Sequence, residues 1–290
     1  MTETADRISN LPINVIDNIL EYLPLCDAVR TSILSRGWRY KWITIPYLDF
    51  DQTFKDISLR YNLESIIYQV LLLHEGPIVR FTIDIADFNV HPTIVHWLHF
   101  LSKRRVEELR LQLTPGIHYA VSQHLFTFDH LRHLNLANGE LRPPEALQGF
   151  GRLVKLILDN VNIAPAEFTR HIAEVSCVLC LIKSSPNLLS LEISSATSPV
   201  VEDTTTQFLK EQQKCKIPLS CLGKVKILKF SGDEPEMEFV KLILSATTIL
   251  RKLEISSIHA GATEAGSKML KQLLSFQRAS PRAEIIFKDP

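Results

Sequence analysis

The chain has 290 residues, 46% of them hydrophobic, and carries 32 lysines and arginines against 32 aspartates and glutamates. That length supports a large core and one to three domains, and the neutral balance gives no whole-chain reason to expect nucleic acid or an anionic membrane as partner. The N-terminus has no apolar signal-peptide core, and no run, not even Ile66 to Leu73, approaches the roughly 18–20 apolar residues of a membrane span. Five scattered cysteines, at 26, 177, 180, 215 and 221, are an odd number; with no signal peptide they point to reduced thiols in the nucleus and/or cytoplasm.

The first predicted elements lie in Leu11 to Trp42, LPINVIDNILEYLPLCDAVRTSILSRGWRYKW. Asn10 precedes Leu11-Pro12, and proline is tolerated near a helix start because its missing N–H would be unpaired there. From Ile13 the apolar residues Val15, Ile16, Ile19, Leu20 and Leu23 fall at spacings of three and four, one stripe of an amphipathic helix. Leu23-Pro24 ends it. Asp27 is the expected N-cap of a second helix through Ala28, Val29, Ser32, Ile33 and Leu34. A third helix is expected over Ser35 to Trp42, with Trp38 and Trp42 four apart on one face. Periodicity alone also fits a helical hairpin that packs on its own protein.

The order of motifs is more specific than the periodicity. Leu-Pro, Ile-Leu, a second Leu-Pro, Asp-Ala-Val and the tryptophan pair together resemble an F-box, the helical module that docks a protein onto a Skp-family adaptor. Asn14, where an acidic residue is usual, and Gly37, where a lysine or arginine is usual, depart from that family. Gly37 costs about 1 kcal/mol against alanine inside a helix. The resemblance implies an adaptor-binding face of Leu11, Pro12, Ile16, Ile19, Leu20, Leu23, Pro24 and Val29, with Trp38 and Trp42 at the junction with the rest of the chain.

Residues 51–75 read as a connecting helical segment. An L-x-x-L-x-L register then recurs over 76–212 and beyond. Its copies are Ile78-Phe81-Ile83, Val106-Leu109-Leu111, Leu131-Leu134-Leu136, Leu153-Leu156-Leu158, Leu188-Leu191-Ile193, Val225-Leu228-Phe230 and Leu250-Leu253-Ile255. Their starts are 28, 25, 22, 35, 37 and 25 residues apart, close to the period of leucine-rich repeats. Each copy predicts one short parallel strand, with the chain returning by a helix or irregular segment, so that neighbours stack into one core. The candidate return helices are Thr93 to Leu101, Glu167 to Ile182 and Met237 to Ala246. The usual asparagine after the strand is displaced, with Asn138 and Asn160 one place early. The repeats therefore resemble the degenerate leucine-rich units of plant F-box proteins.

Residues 195–213 are polar and read as a loop or boundary. The block 213–290 resembles the FBD domain that accompanies F-box and leucine-rich repeats in plant proteins. The match rests on Val225, Glu238-Phe239-Val240, Leu250-Arg251-Lys252 and the ending Arg278-Ala279-Ser280-Pro281-Arg282-Ala283-Glu284. A helix over Glu264 to Phe276, a Ser-Pro break and a strand over Ala283 to Phe287 are expected, a piece suited to capping a solenoid. The 14 lysines and arginines against 9 acidic residues in 209–290 read as a solvated surface.

Chemistry is hard to find. Cys177 and Cys180 form a CxxC with no second pair and apolar neighbours, so core cysteines are the better reading than zinc. His96 with His99 and His130 with His133 are three apart, yet there is no HExxH, no phosphate-binding glycine loop and no nucleophile elbow. No enzyme, cofactor or metal is expected.

The expected fold is α/β: a three-helix F-box at 5–50, then a solenoid of parallel strands and helices, closed by an FBD-type cap. The resemblance implies a non-catalytic substrate receptor of a cullin–RING ubiquitin ligase, its F-box on a Skp-family adaptor and through it a cullin, its repeats holding an unidentified protein target. The candidate target face is the outward row: Arg80, Glu108, Arg110, His133, Asn135, Lys155, Ile157, Ser190, Glu192, Ile227, Lys229, Lys252 and Glu254. A non-degradative scaffold and a small-molecule sensor remain as alternatives.

Overall fold

The computed structural model describes residues 8–9, 11–85, 88, 93–112, 120–121, 123–141, 150–163, 178–179, 181–194, 219, 221–259 and 263–289. The chain divides into two compact units, Met1–Thr114 and Pro115–Pro290. The division falls inside the span read as repeats.

In the first unit, α1 (Ile13–Glu21) and α2 (Leu25–Arg30) follow Pro12 and Pro24, each proline sitting just ahead of its helix. Asp27 is therefore not an N-cap. It lies in the first turn of α2, where its charge suits the helix dipole, and its carboxylate accepts from Arg30 at 2.8 Å. The expected third helix is also replaced. Thr31–Ile33 and Lys41–Thr44 are short 3-10 turns, and 36–40 between them is a run of turns. Ser35 and Gly37 are weak helix formers, and no continuous hydrogen-bond ladder forms across them. The tryptophans still point inward: Trp38 is buried and its Nε1 donates to the Ile8 carbonyl at 3.1 Å, and Trp42 is buried as well.

Strand β1 (Tyr47–Phe50) comes next and pairs in parallel with β2 (Arg80–Asp84), which pairs in parallel with β3 (Glu108–Gln112). β1 is a repeat unit within the span expected to be F-box alone. Ile45-Leu48-Phe50 has the same spacing as the other copies, and all three side chains are buried. Between the strands run α3 (Lys55–Ser58), α4 (Leu63–Leu73) and α5 (Ile94–Ser102). Asn62 caps α4 by accepting from the Ser65 amide at 2.9 Å. Ile67, Val70 and Leu71 of α4, and Trp97, Leu98 and Leu101 of α5, form the helix side of the core. The helix expected over Thr93 to Leu101 is thus present, one residue later.

The second unit holds β4 (Ala120–Val121), β5 (His133–Leu141), β6 (Lys155–Ile163), β7 (Ser190–Ser194), β8 (Lys224–Phe230), β9 (Lys252–Ser257) and β10 (Glu284–Lys288). Strands β5 to β10 pair in parallel in chain order, with β4 beside the end of β5. α6 (Glu234–Ala246) lies between β8 and β9, and α7 (Glu264–Ser275) between β9 and β10. α6 begins three residues before the expected Met237, because Pro235 is preorganised for the first turn and Asp233 stands at the N-cap. Glu236 reaches back to accept from the Ser231 and Gly232 amides at 2.8 and 3.0 Å. Of the helix expected over Glu167 to Ile182, residues 178–179 and 181–182 are helical, and Lys183 continues it; the rest lies outside the described residues, as do Cys177, Cys180 and 195–213.

Two details explain the pattern that sequence reading found irregular. Asn138 and Asn160 adopt the left-handed conformation, with φ of 54° and 52°. They stand opposite one another between paired residues of β5 and β6, and Asn160 donates to the Asn138 side chain at 2.7 Å. Asparagine tolerates this conformation better than other side chains, so its early placement marks a left-handed kink that the two paired strands share without a change of register. The second detail is the ending singled out as FBD-like. Ala279 N–H donates to Leu244 O, Ser280 Oγ to Leu250 O at 2.7 Å and Arg278 to Ala283 O, so these residues tie the α7–β10 turn to α6 and the start of β9.

Candidate functional sites

α1 is amphipathic. Ile16 and Leu20 are buried in the protein's own core. Both were expected on the adaptor face, and the structure corrects that: the i, i+4 stripe that makes the helix amphipathic is the stripe that folds the module. Of the other expected contacts, Pro12, Ile19 and Pro24 are exposed, while Leu11, Leu23 and Val29 are half-buried.

The exposed apolar side chains that sequence reasoning passed over are more prominent. Tyr22 is 90% exposed and Ile33 88%, and Ile13 and Leu34 are also exposed. Tyr22, Leu23 and Pro24 form the α1–α2 turn, and Ile33 and Leu34 follow α2. Scattered single leucines on a surface mean little, but bulky apolar residues concentrated in one 22-residue stretch mark an interaction surface.

The second candidate is the outward face of the sheets. In the first unit Arg80 donates through Nε to Glu108 at 2.7 Å, reaches Asp49 at 3.4 Å, and lies 4.6 Å over the Tyr47 ring. These contacts push the guanidinium pKa up, hydrogen bonding to Glu108 first. Arg110 pairs with Asp84 at 2.7 Å.

In the second unit the register corrects one repeat. Leu191 pairs with Val225 and Val225 with Leu253, so the unit is Leu222-Val225-Ile227, three residues before the expected Val225-Leu228-Phe230. Its start is then 34 residues from the preceding copy and 28 from the next. Ile227 is therefore buried and not part of the outward row. Lys229 is not on it either: it occupies the bulge position, with φ of 54°, and its ammonium stands 3.8 Å from Asp159. Both registers satisfied the motif because the bulge turns Phe230 back into the core. Lys226 takes the outward place and pairs with Glu192 at 2.6 Å.

The row in the second unit runs His133, Lys155, Ser190, Lys224, Lys252 on one line and Asn135, Ile157, Glu192, Lys226, Glu254 on the next. Glu254 is closed off from solvent by the Lys252 and Lys288 chains that pair with it, Lys252 at 3.2 Å. Hydrogen bonds from Lys288, then Lys252, lower its pKa to about 2. Much of the charge on this face is thus already compensated within the chain.

Residues 8–47 match the F-box domain. The chain is 35% identical to an F-box/FBD/LRR-repeat protein of Arabidopsis thaliana, with 99% of both chains covered. That comparison spans 417 positions against 290 residues, which leaves at least 127 positions of the relative with no residue of this chain opposite them. An F-box/LRR-repeat protein of the same plant is 26% identical over 90% of this chain and 64% of its own length. An FBD-associated F-box protein is 27% identical over 60% of this chain and 43% of its own. This chain spans less than two thirds of those last two.

Proposed function

The chain belongs to the F-box/FBD/LRR-repeat proteins, generally non-catalytic substrate adaptors of ubiquitin ligases, and from that premise we propose that it docks on a Skp-family adaptor and presents a protein target for ubiquitination. The observation that carries this reading is the exposed apolar set Ile19, Tyr22, Pro24, Ile33 and Leu34 on a module whose own stripe, Ile16 and Leu20, is already satisfied. A surface of that kind loses water only when a partner covers it. The sheet faces then hold the target near the transferring enzyme, raising the local concentration of its lysines while the chemistry belongs to other subunits. A nuclear or cytoplasmic site of action is part of the proposal.

The test is co-expression with a plant Skp-family adaptor, followed by size exclusion and a dissociation constant. A one-to-one complex is expected. Ile33→Asp with Leu34→Asp should weaken it by about a hundredfold while leaving the unfolding midpoint unchanged. Leu20→Asp is the poorer probe, because it places a carboxylate in the core and unfolds the module. Wild-type affinity in the double variant would remove the reading.

A further inference from the structure

Strand β10 pairs with β9 on one side. The Glu284 amide donates to Arg251 O, and alternation along a parallel strand then aims the N–H and C=O of Glu284, Ile286 and Lys288 at β9. Those of Ile285 and Phe287 point the other way, and among the described residues no strand lies there. The same two residues hold the inward sheet positions, beside the buried Leu253 and Ile255, yet both are only half-buried. Among the described residues, neither the sheet nor the core beneath it is completed at this edge.

The sequence of the edge selects its occupant. Glu284-Ile285-Ile286-Phe287-Lys288 has a charge pattern that is its own complement when reversed. Two copies aligned antiparallel about Ile286 set Glu284 opposite Lys288 at both ends. They also set Ile285 opposite Phe287 twice, and Ile286 against itself. The residues whose backbone groups face outward, Ile285 and Phe287, are then the ones directly opposed, so each pair exchanges two N–H···O bonds and the junction gains four. A parallel alignment would oppose like charges instead. A lysine at an edge ordinarily discourages pairing, but here it meets a glutamate of the second copy while keeping its own Glu254.

We infer that the β10 edge is a self-association surface, joining two copies of this chain by antiparallel pairing of Glu284–Lys288. A junction of one five-residue strand buries less than a standard interface, so the dimer is reversible, with a dissociation constant on the order of tens of micromolar.

Sedimentation velocity of the full chain over about 5 to 500 μM tests it. Wild type should move from monomer to dimer across that range. Ile285→Pro removes an N–H that points away from β9, a place where an edge strand accepts proline, and should weaken association by at least about tenfold with an unchanged circular dichroism spectrum. Ile286→Arg sets two guanidinium groups face to face and should do the same, so the test survives if the proline variant fails to fold. A wild type that stays monomeric throughout, or a dimer that both folded variants retain, overturns the inference.

Discussion

Leu48 and Phe50 in β1 hold the same inward sheet positions as Ile285 and Phe287 in β10, and their surroundings differ completely. The first pair is fully buried: α2 packs on β1, and the Phe50 ring lies 5.1 Å from Phe54 and 5.8 Å from Phe81. The second pair is half-buried. In the first unit the F-box module also seals the first strand, so the apolar surface it leaves exposed is what remains after it has served as a lid. In the second unit β10 has, among the described residues, a strand on one side alone. The comparison breaks most directly through truncation. Phe50→Ala should cost about 3–5 kcal/mol, and Phe287→Ala about 1 kcal/mol, since half its surface is already wet. Urea unfolding of dilute protein measures both. Equal losses would mean that β10 is as well covered as β1.

Two glycines sharpen the same contrast. A Cβ at Gly76 would stand 2.9 Å from Thr44 O and 3.0 Å from Thr44 Cα, backbone that cannot swing aside. A Cβ at Gly232 would meet the end of Met269, a flexible chain, but the residue's φ is +80°. Gly76→Ala is therefore expected to lose about 1–3 kcal/mol through overpacking, and Gly232→Ala about 1–2 kcal/mol through backbone strain. Repacking separates them: Met269→Ala should leave the Gly232→Ala penalty standing, because the strain lies in the backbone. Its disappearance would assign the penalty to side-chain crowding.

The two units should also respond differently to acid. His74 is buried, its Nε2 lies 2.8 Å from the Ile45 carbonyl, and burial lowers its pKa. A histidine held neutral in the folded state favours folding above its unfolded value near 6.5. That contribution is lost as pH falls through 6.5 toward the folded pKa, because only the unfolded chain takes the proton easily. The first unit should thus weaken between pH 7.5 and 5.5, and His74→Gln should flatten that dependence. Hydrogen exchange resolved along the chain reads it, and an unchanged slope in the variant would place the acid response elsewhere.

How far each element was legible in the sequence depends on how its signal is made. Repeat strands were legible because Leu109 and Leu111, or Leu134 and Leu136, alternate with polar neighbours, and that alternation is the sheet's own period. Ile45-Leu48-Phe50 was missed because it lies inside the stretch that the F-box resemblance had already claimed. The β8 register slipped because a bulge at Lys229 lets two overlapping triplets satisfy one motif; only strand pairing with Leu191 and Leu253 chooses between them. At the F-box, apolar residues were read as partner-binding without asking which face the fold itself consumes, so Ile16 and Leu20 were assigned outward while Tyr22, Ile33 and Leu34 were left out of the expected adaptor face. Ion pairs across the row, such as Arg80–Glu108 and Lys226–Glu192, join residues 28 and 34 apart and need the register before they can be seen.

The smallest expected effect lies where the outward row meets the open edge. Glu254 sits between Lys252 and Lys288, so its folded pKa of about 2 is below the ordinary value of 4.5. A depressed carboxylate stabilises the folded state above 4.5, and that contribution is lost as pH falls from 4.5 toward 2. What closes Glu254 off is two lysine chains on a sheet surface, not core atoms, so the network behaves as a surface one and contributes at most about 1 kcal/mol. Glu254→Gln should lower stability by that amount at pH 6, and the gap to wild type should shrink through pH 4 and close near pH 2. High salt should narrow it at pH 6 as well. A gap that persists at pH 2 would mean that Glu254 acts through packing and hydrogen-bond geometry. In that case β10 would be held to β9 by more than its backbone ladder and one charge.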